Sequence, residues 1–268
     1  MATRIEEASL EQPGDFRDRP GAVLVSGGSG GLGAEICRLL AARGADVALS
    51  YRGHAEAAER VVAEVRMHGS DAHAWETDLA SPGSAREFGE LALRRFGAIH
   101  TVIHAAGPHV PQLHLSKVDP VTLSEHLQAE AGAFFNLVQP LLPELRERSG
   151  AIVAVTTAAT RRFPVRDGLS AAPKAAVETL ARGLAAEEGR FGIRVNCVGP
   201  GMLTDGMSER LIASGDLDDD ALAAVRAAIP LGRFGRAADV AEAVCFLASD
   251  RAAFISGQML DVDGGYAA

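Results

Sequence analysis

The sequence predicts an α/β protein built on a doubly wound parallel sheet in a single domain. Three observations predict it. From Ala22 to the C-terminus, short apolar runs alternate with longer segments of helical spacing. A glycine cluster, Gly27 to Gly33, follows the first apolar run and opens the first helical segment. No linker-like stretch interrupts the alternation, and 268 residues at 47% hydrophobic suit one large domain.

The elements follow in order. Ala22-Val23-Leu24-Val25 is apolar without alternation, as a parallel strand buried on both faces should be. Gly31 to Arg43 has helical spacing, with Ile36, Leu39 and Leu40 on one face. Asp46 to Tyr51 is the second strand and Ala55 to Met67 the second helix. Ala72 to Glu76 is the third strand, Ser84 to Phe96 the third helix, and Ile99 to His104 the fourth strand. Pro120 to Arg148 is helical in two pieces, and Ala151 to Thr156 is the fifth strand. Ser170 to Arg190 is a long Ala-rich helix in which Gly183 is a tolerated weak point. Ile193 to Cys197 is the sixth strand, Ala237 to Ala248 a helix, and Gln258 to Val262 the last strand. Residues 1–20 are charged, lack the apolar region of a secretory signal, and read as a flexible extension of a domain over 21–268. The segment Gly201 to Ile229 breaks the rhythm and carries the acidic run Asp216 to Asp220. A substrate lid over about 201–230 and a solvated surface excursion account for it equally well.

A net charge of −9 disfavours nucleic acid and anionic membrane as partners, and no run approaches the ~18 apolar residues of a membrane span. Cys37, Cys197 and Cys245 lack motif spacing and sit in apolar runs, so they read as buried core thiols of a protein in a reducing cytoplasm. No metal-ligand spacing and no Ser/His/Asp arrangement is evident.

Ser26-Gly27-Gly28-Ser29-Gly30-Gly31-Leu32-Gly33 has strand-turn-helix context. Glycines let the backbone approach a pyrophosphate, and the helix N-terminus supplies unpaired N–H groups. Ser26, Gly27, Ser29, Gly31, Leu32 and Gly33 are therefore candidates for a dinucleotide site. The second strand ends in Ser50-Tyr51-Arg52, without the acid that would bind a ribose 2′-hydroxyl. Arg52 can instead pair with a 2′-phosphate, which favours NADP over NAD; the rival reading is an exposed loop arginine. Asp78 and Leu79, after the third strand, suit the adenine, although Asp78 suits a helix N-cap as well. His104, Ala105 and Gly107 end the fourth strand, with small residues where the cofactor should lie flat.

Together these motifs resemble the short-chain dehydrogenase/reductase family over roughly Gly21 to Gly265. Ser26-Gly27 with Gly31 and Gly33 is similar to the family's Thr-Gly-x-x-x-Gly-x-Gly, Asp78 to its adenine-binding aspartate, and His104 to Gly107 to Asn-Asn-Ala-Gly. Pro200, Gly201 and Thr204 resemble the Pro-Gly-x-x-x-Thr segment beside the nicotinamide carboxamide, and Asp261 to Gly265 the C-terminal Val-Asp-Gly-Gly. The resemblance implies a Rossmann-like fold and a homo-oligomer, a dimer or a homotetramer, paired through the two long helices.

The family's usual catalytic group is Asn, Ser, Tyr and Lys. Laid on this chain, Lys174 matches and Thr157 stands at the serine position. Ser170 stands at the tyrosine position and Glu130 at the asparagine position. A phenol has a pKa near ~10, whereas an aliphatic hydroxyl lies near that of water, about 15.7. At ~1.36 kcal/mol per unit that difference is roughly 7–8 kcal/mol, more than one lysine supplies. Ser170 is thus disfavoured as the general acid, being also too short to reach a substrate placed for a tyrosine, and a small residue that enlarges the pocket or turns into the helix is the better reading. The 2,4-dienoyl-CoA reductases also carry Ser-x-x-x-Lys, but the position of their donor tyrosine holds Ala159 here.

Lys174 is expected to hold the ribose hydroxyls and Thr157 a substrate oxygen. Glu130 is either a buried acid or base of the pocket or a solvent-facing helix residue. His109 and His114 fall on a pocket-rim loop, and Arg161, Arg162 and Arg166 suit either an anionic substrate or a solvated loop. The expected activity is reduction of a small carbonyl or conjugated enone. The alternatives are redox-neutral dehydration, cyclisation or isomerisation through Glu130, and cofactor binding without turnover.

Overall fold

Residues 15–204 and 219–268 are described by the structure, a computed structural model. Strand β1 (Ala22–Ser26) is buried at every position. Its side chains alternate between two cores, Val23 and Val25 entering one and Ala22 and Leu24 the other. That two-sided burial is why the run shows no polar alternation.

Around β1 lie β2 (Asp46–Tyr51), β3 (Ala72–Glu76), β4 (Ile99–His104), β5 (Ala151–Val155), β6 (Arg194–Pro200) and β7 (Met259–Val262). Among the described residues these seven strands form one parallel sheet in the order β3-β2-β1-β4-β5-β6-β7. The chain winds outward from β1 to β3 and then returns to place β4 on the other side of β1. The carboxyl ends of β1 and β4 therefore flank the point where strand order reverses, with Ser26 in register with His104.

Helices α1 (Gly31–Ala42) and α2 (Ala55–Met67) bury Ile36, Leu40, Val61 and Val65 on one face of the sheet. Helix α3 (Pro82–Phe96) lies on the other. It starts two residues earlier than predicted, because Ser81 caps it and Pro82 fits its first turn. The region predicted as two helical pieces is α4 (Pro120–Leu127), one π-helical turn (Gln128–Gly132), α5 (Ala133–Val138), a 3-10 turn at Gln139–Leu141, and α6 (Leu142–Arg148). Pro140 accounts for the 3-10 turn, since it lacks an amide proton. Helix α7 (Gly168–Glu188) packs beside α4 and the π-helical turn, with Val177 and Ala181 in the same core as Phe134 and Leu137. Helices α8 (Asp219–Ala227) and α9 (Ala237–Ala248) follow β6.

Strand β6 runs through Pro200 rather than ending at Cys197, because pairing with β7 carries it to the rim of the site. At its start the buried Arg194 donates to the carbonyls of Leu247, Ala248, Ser249 and Ala252 at 2.6–3.2 Å. It satisfies carbonyls that the end of α9 leaves without partners, and places positive charge there.

The boundary expected at residue 20 moves. Phe16 is buried, stacks on His100 at 6.1 Å and donates its amide to the Arg43 carbonyl at 3.1 Å. The Arg43 guanidinium holds Asp15 at 3.1 Å, so Asp15 to Pro20 belongs to the packed domain. Residues 1–14 of the expected extension lie outside the described residues. So do 205–218, the centre of the expected lid and most of its acidic run. All three cysteines are free and buried, and burial pushes Cys197 and Cys245 up to about 12.

Candidate active site

The glycine turn is fixed by its neighbours. Gly27 has φ +69°, and a side chain there would meet Ala106 Cα at 2.7 Å. A Cβ on Gly33 would lie 2.2 Å from the Gly27 carbonyl oxygen, so α1 can rest on the turn only with glycine. The amides of Gly27 and Gly28 donate to Ser50 Oγ and Ser50 O at 3.3 and 2.9 Å, tying the turn to the end of β2. No side chain caps α1. Its first-turn amides thus remain donors at the mouth of the turn, which suits a diphosphate. Arg52 is exposed two residues beyond Ser50.

Two residues expected at the cofactor, Ser26 and His104, turn their side chains inward. The Ser26 hydroxyl is fully buried, hydrogen-bonds His104 Nδ1 at 3.0 Å, and accepts from the amides of Ala105 and Ala106 at 3.2 and 3.3 Å. It clamps β1 to β4 instead of facing a ligand. The His104 ring points into the core, edge-on to Phe134 at 5.6 Å. Burial, with a smaller push from Lys174, lowers it to about 3. The adjoining Ala105, Ala106 and Gly107 are accessible.

Asp78 is exposed and accepts from the Ala80 amide at 3.1 Å, while Ser81 is the N-cap of α3. The N-cap alternative for Asp78 is overturned, and its carboxylate stays at the cleft edge. Leu79 is buried, and its carbonyl accepts from Asn136 Nδ2 at 3.0 Å. On the opposite rim, the Gly201 amide donates to Val262 O at 3.0 Å and the Thr204 amide to Gly235 O at 2.9 Å. Pro200 closes β6 in register with Val262.

Glu130 is where the structure departs most from a bland surface residue. It lies on the π-helical turn, is buried, and accepts a hydrogen bond from Lys174 Nζ. A methyl group placed on Gly107 would lie 2.7 Å from Glu130 Oε1 and 3.6 Å from Lys174 Nζ. The ion pair therefore sits against the end of β4, at the strand-order switch. The extra residue of a π turn shifts helix phase, and such turns are frequent at functional sites.

The other candidates divide. Thr157 is half-buried, and its Oγ1 accepts from the Ala159 amide at 3.2 Å. Ser170 is buried near the start of α7. Arg161 faces Asp261 at 3.9 Å, and Arg162 donates to Tyr266 O at 2.7 Å. Both arginines turn to the C-terminal segment. Arg166 Nε reaches His114 Nε2 at 3.3 Å, and His109 is exposed.

Asp167 escaped sequence reasoning. Burial raises its carboxyl above the usual range, while hydrogen bonds from Gln112 and Ser170 and the charge of Lys174 oppose the shift. The only signal was its place three residues before Ser170, one helical turn away.

Comparison with known proteins agrees with this geometry. A family model described as Enoyl-(Acyl carrier protein) reductase matches residues 27–267. A 3-oxoacyl-[acyl-carrier-protein] reductase of Staphylococcus epidermidis is 34% identical over 245 residues, covering 91% of this chain and 98% of that protein. Versicolorin reductase of Emericella nidulans is 34% identical over 248 residues, covering 90% and 94%. A short chain dehydrogenase from Burkholderia cenocepacia, solved in complex with NADP, superposes with a TM-score of 0.84 at 32% identity, over 96% of this chain and 100% of that one.

Proposed function

The chain belongs to the short-chain dehydrogenase/reductase family, and from that premise we propose that it is an NADP-dependent reductase of a small carbonyl compound or conjugated enone. One observation carries the proposal: Glu130 holds Lys174 beside Gly107, just beyond β4, on one side of the switch point, and the uncapped N-terminus of α1 follows β1 on the other. The cradle fits a dinucleotide. Gly31, Leu32 and Gly33 offer amides to the diphosphate, Arg52 faces a 2′-phosphate, Asp78 and Leu79 flank the adenine, and Pro200, Gly201 and Thr204 border the nicotinamide. Bound there, the reduced nicotinamide supplies hydride.

The residues supply orientation. Glu130 fixes the Lys174 ammonium, whose remaining protons can meet the ribose hydroxyls. Thr157 directs its hydroxyl at the substrate oxygen. A second use of the same pocket, redox-neutral proton chemistry, is favoured by Glu130 alone, a buried carboxylate beside the nicotinamide position. Loss of such an activity in Glu130→Gln, without NADPH oxidation in the wild type, would select it.

The partner proposed is a second copy of the chain. Val121, Leu127 and Phe135 leave apolar surface on the α4–α5 segment, as a helix-paired dimer or tetramer requires. A reducing cytoplasm suits three free, buried thiols.

Fluorescence titration with NADPH and NADH tests the cofactor assignment. NADPH should bind more tightly, and Arg52→Ala should weaken NADPH alone. One lost charge-assisted contact of about 1.5–3 kcal/mol corresponds to ~10- to 150-fold. Equal affinity for the two cofactors, or binding of neither, overturns the assignment.

A further inference from the structure

Small residues build the turn that carries Thr157. Thr157 follows β5 as the N-cap of a 3-10 turn over Ala158–Thr160, in which Ala158 and Ala159 are buried. Its hydroxyl accepts from the Ala159 amide at 3.2 Å, which leaves the hydroxyl proton to donate. Just before it, the Thr156 amide donates to the Val198 carbonyl of β6 at 2.8 Å. The turn closes on Thr160. The Thr160 amide reaches the Thr157 carbonyl at 3.4 Å. The Thr160 hydroxyl lies 3.1 Å from that same carbonyl and 2.8 Å from Glu178 Oε1. One hydroxyl proton thus faces two acceptors, and the carboxyl oxygen is the nearer and the stronger.

Glu178 is buried on α7, one helical turn beyond Lys174. Residues four apart share a helix face, so α7 ties both sides of the site together. Lys174 meets Glu130 beside Gly107, and Glu178 meets Thr160 on the loop after β5. The nearby Val177 and Ala181 of α7 enter the apolar core. A carboxyl buried next to them carries a desolvation cost that leucine in its place would not. What it contributes is direction, because a hydrogen bond to an ionised group fixes its donor more firmly than a neutral one does.

We propose that Glu178 is a positioning residue: by holding the Thr160 hydroxyl it fixes the turn after β5, and with it the direction in which Thr157 presents its own hydroxyl. The assignment rests on the reductase reading above, in which Thr157 meets the substrate oxygen. Glu178 acts through the turn and not on the reacting atoms. Without it the turn loses this tie to α7, and the Thr157 side chain samples other rotamers.

Wild-type protein, Glu178→Leu, Glu178→Gln, Thr160→Val and Thr157→Val are compared with NADPH and two probes, ethyl acetoacetate and 2-cyclohexen-1-one. Misplacing a reacting group by ~1 Å costs up to about 100-fold, so Glu178→Leu and Thr160→Val should each lose at least ~10-fold in kcat while binding NADPH as tightly as wild type. Glu178→Gln keeps an oxygen acceptor and should retain most of the rate. Glu178→Leu added to Thr157→Val should lose little more than Thr157→Val alone, as residues acting as a unit do, whereas a general loosening of the core would add its own loss. Where Glu178→Leu does not fold, Thr160→Val tests the same bond by exchanging a hydroxyl for a methyl group. Three-bond NMR couplings from the Thr157 methyl carbon to the backbone nitrogen and carbonyl carbon give a readout without cofactor. They should report one χ1 rotamer in wild type and Glu178→Gln, and an average in Glu178→Leu and Thr160→Val. A Thr160→Val protein that keeps the wild-type kcat, additive losses in the double variant, or a single Thr157 rotamer in every variant overturns the positioning role and leaves the reductase reading standing. Wild-type protein that leaves NADPH unoxidised with both probes overturns the reductase reading, and the role of Glu178 with it.

Discussion

Replacing Glu130 by leucine leaves the Lys174 ammonium without its counter-charge. The Glu130 side chain is 2% exposed and that of Lys174 13%. Two unit charges at a typical ion-pair separation of ~3 Å attract by about 5 kcal/mol at an effective dielectric constant near 20. Desolvation of both groups offsets much of that, so the pair itself adds little net stability. Removing one partner is different, because the survivor keeps its desolvation cost without the attraction, at about 3–5 kcal/mol. Lys174 retains some access to water, which selects the lower end, about 3 kcal/mol. At ~2–4 °C per kcal/mol for a chain of this size, Tm should fall by roughly 6–12 °C. Adding Lys174→Met removes the stranded charge and should restore more than half of the loss. Circular dichroism melts of wild type, both single variants and the double variant complete the cycle. A Tm for Glu130→Leu within about 2 °C of wild type, or additive losses in the double variant, would refute the buried pair.

Two further outcomes are expected. Arg194→Met strands four carbonyls around the end of α9 and should cost about 3 kcal/mol or more in urea unfolding. Arg194→Lys should recover less than half of it, lacking the guanidinium fork; a loss below ~1 kcal/mol for Arg194→Met contradicts the cap. Burial holds His100 and His104 near 3, so both stay neutral in the folded state. Unfolded histidine takes up a proton below about 6.5, so stability is complete above that pH and is lost as pH falls toward 3. Each should contribute ~1.4 kcal/mol per pH unit, about 4 kcal/mol for both between pH 6.5 and 5. Urea midpoints over that range should show the slope, and it should halve in His100→Gln; an unchanged slope in that variant rules the histidine out.

The sheet was legible because burial on both faces writes unbroken apolar runs, and β2, β3, β4 and α2 fall within the bounds read from them. The glycine turn was legible because close backbone approach leaves no room for a side chain. The inward turn of the Ser26 and His104 side chains was not legible, because a motif register gives a residue's position but not the direction of its side chain. Asp78 had two readings, and only the Ser81 cap of α3 separated them. Phe16 was passed over because one aromatic in a charged segment has no periodicity to report its burial.

The sequence by itself determined the fold class, the glycine turn and the absence of tyrosine at position 170, since these depend on local period, glycine and residue identity. Only the tertiary structure decided which side chains meet beyond the end of β4. Glu130 meets Lys174 across 44 positions of chain because a π turn rotates it inward. Asp167, at the N-cap position of α7, makes no cap hydrogen bond with its side chain, and its backbone bridges to Leu113 far along the chain. Contacts between distant segments, and the side-chain directions they impose, leave no trace in local sequence pattern.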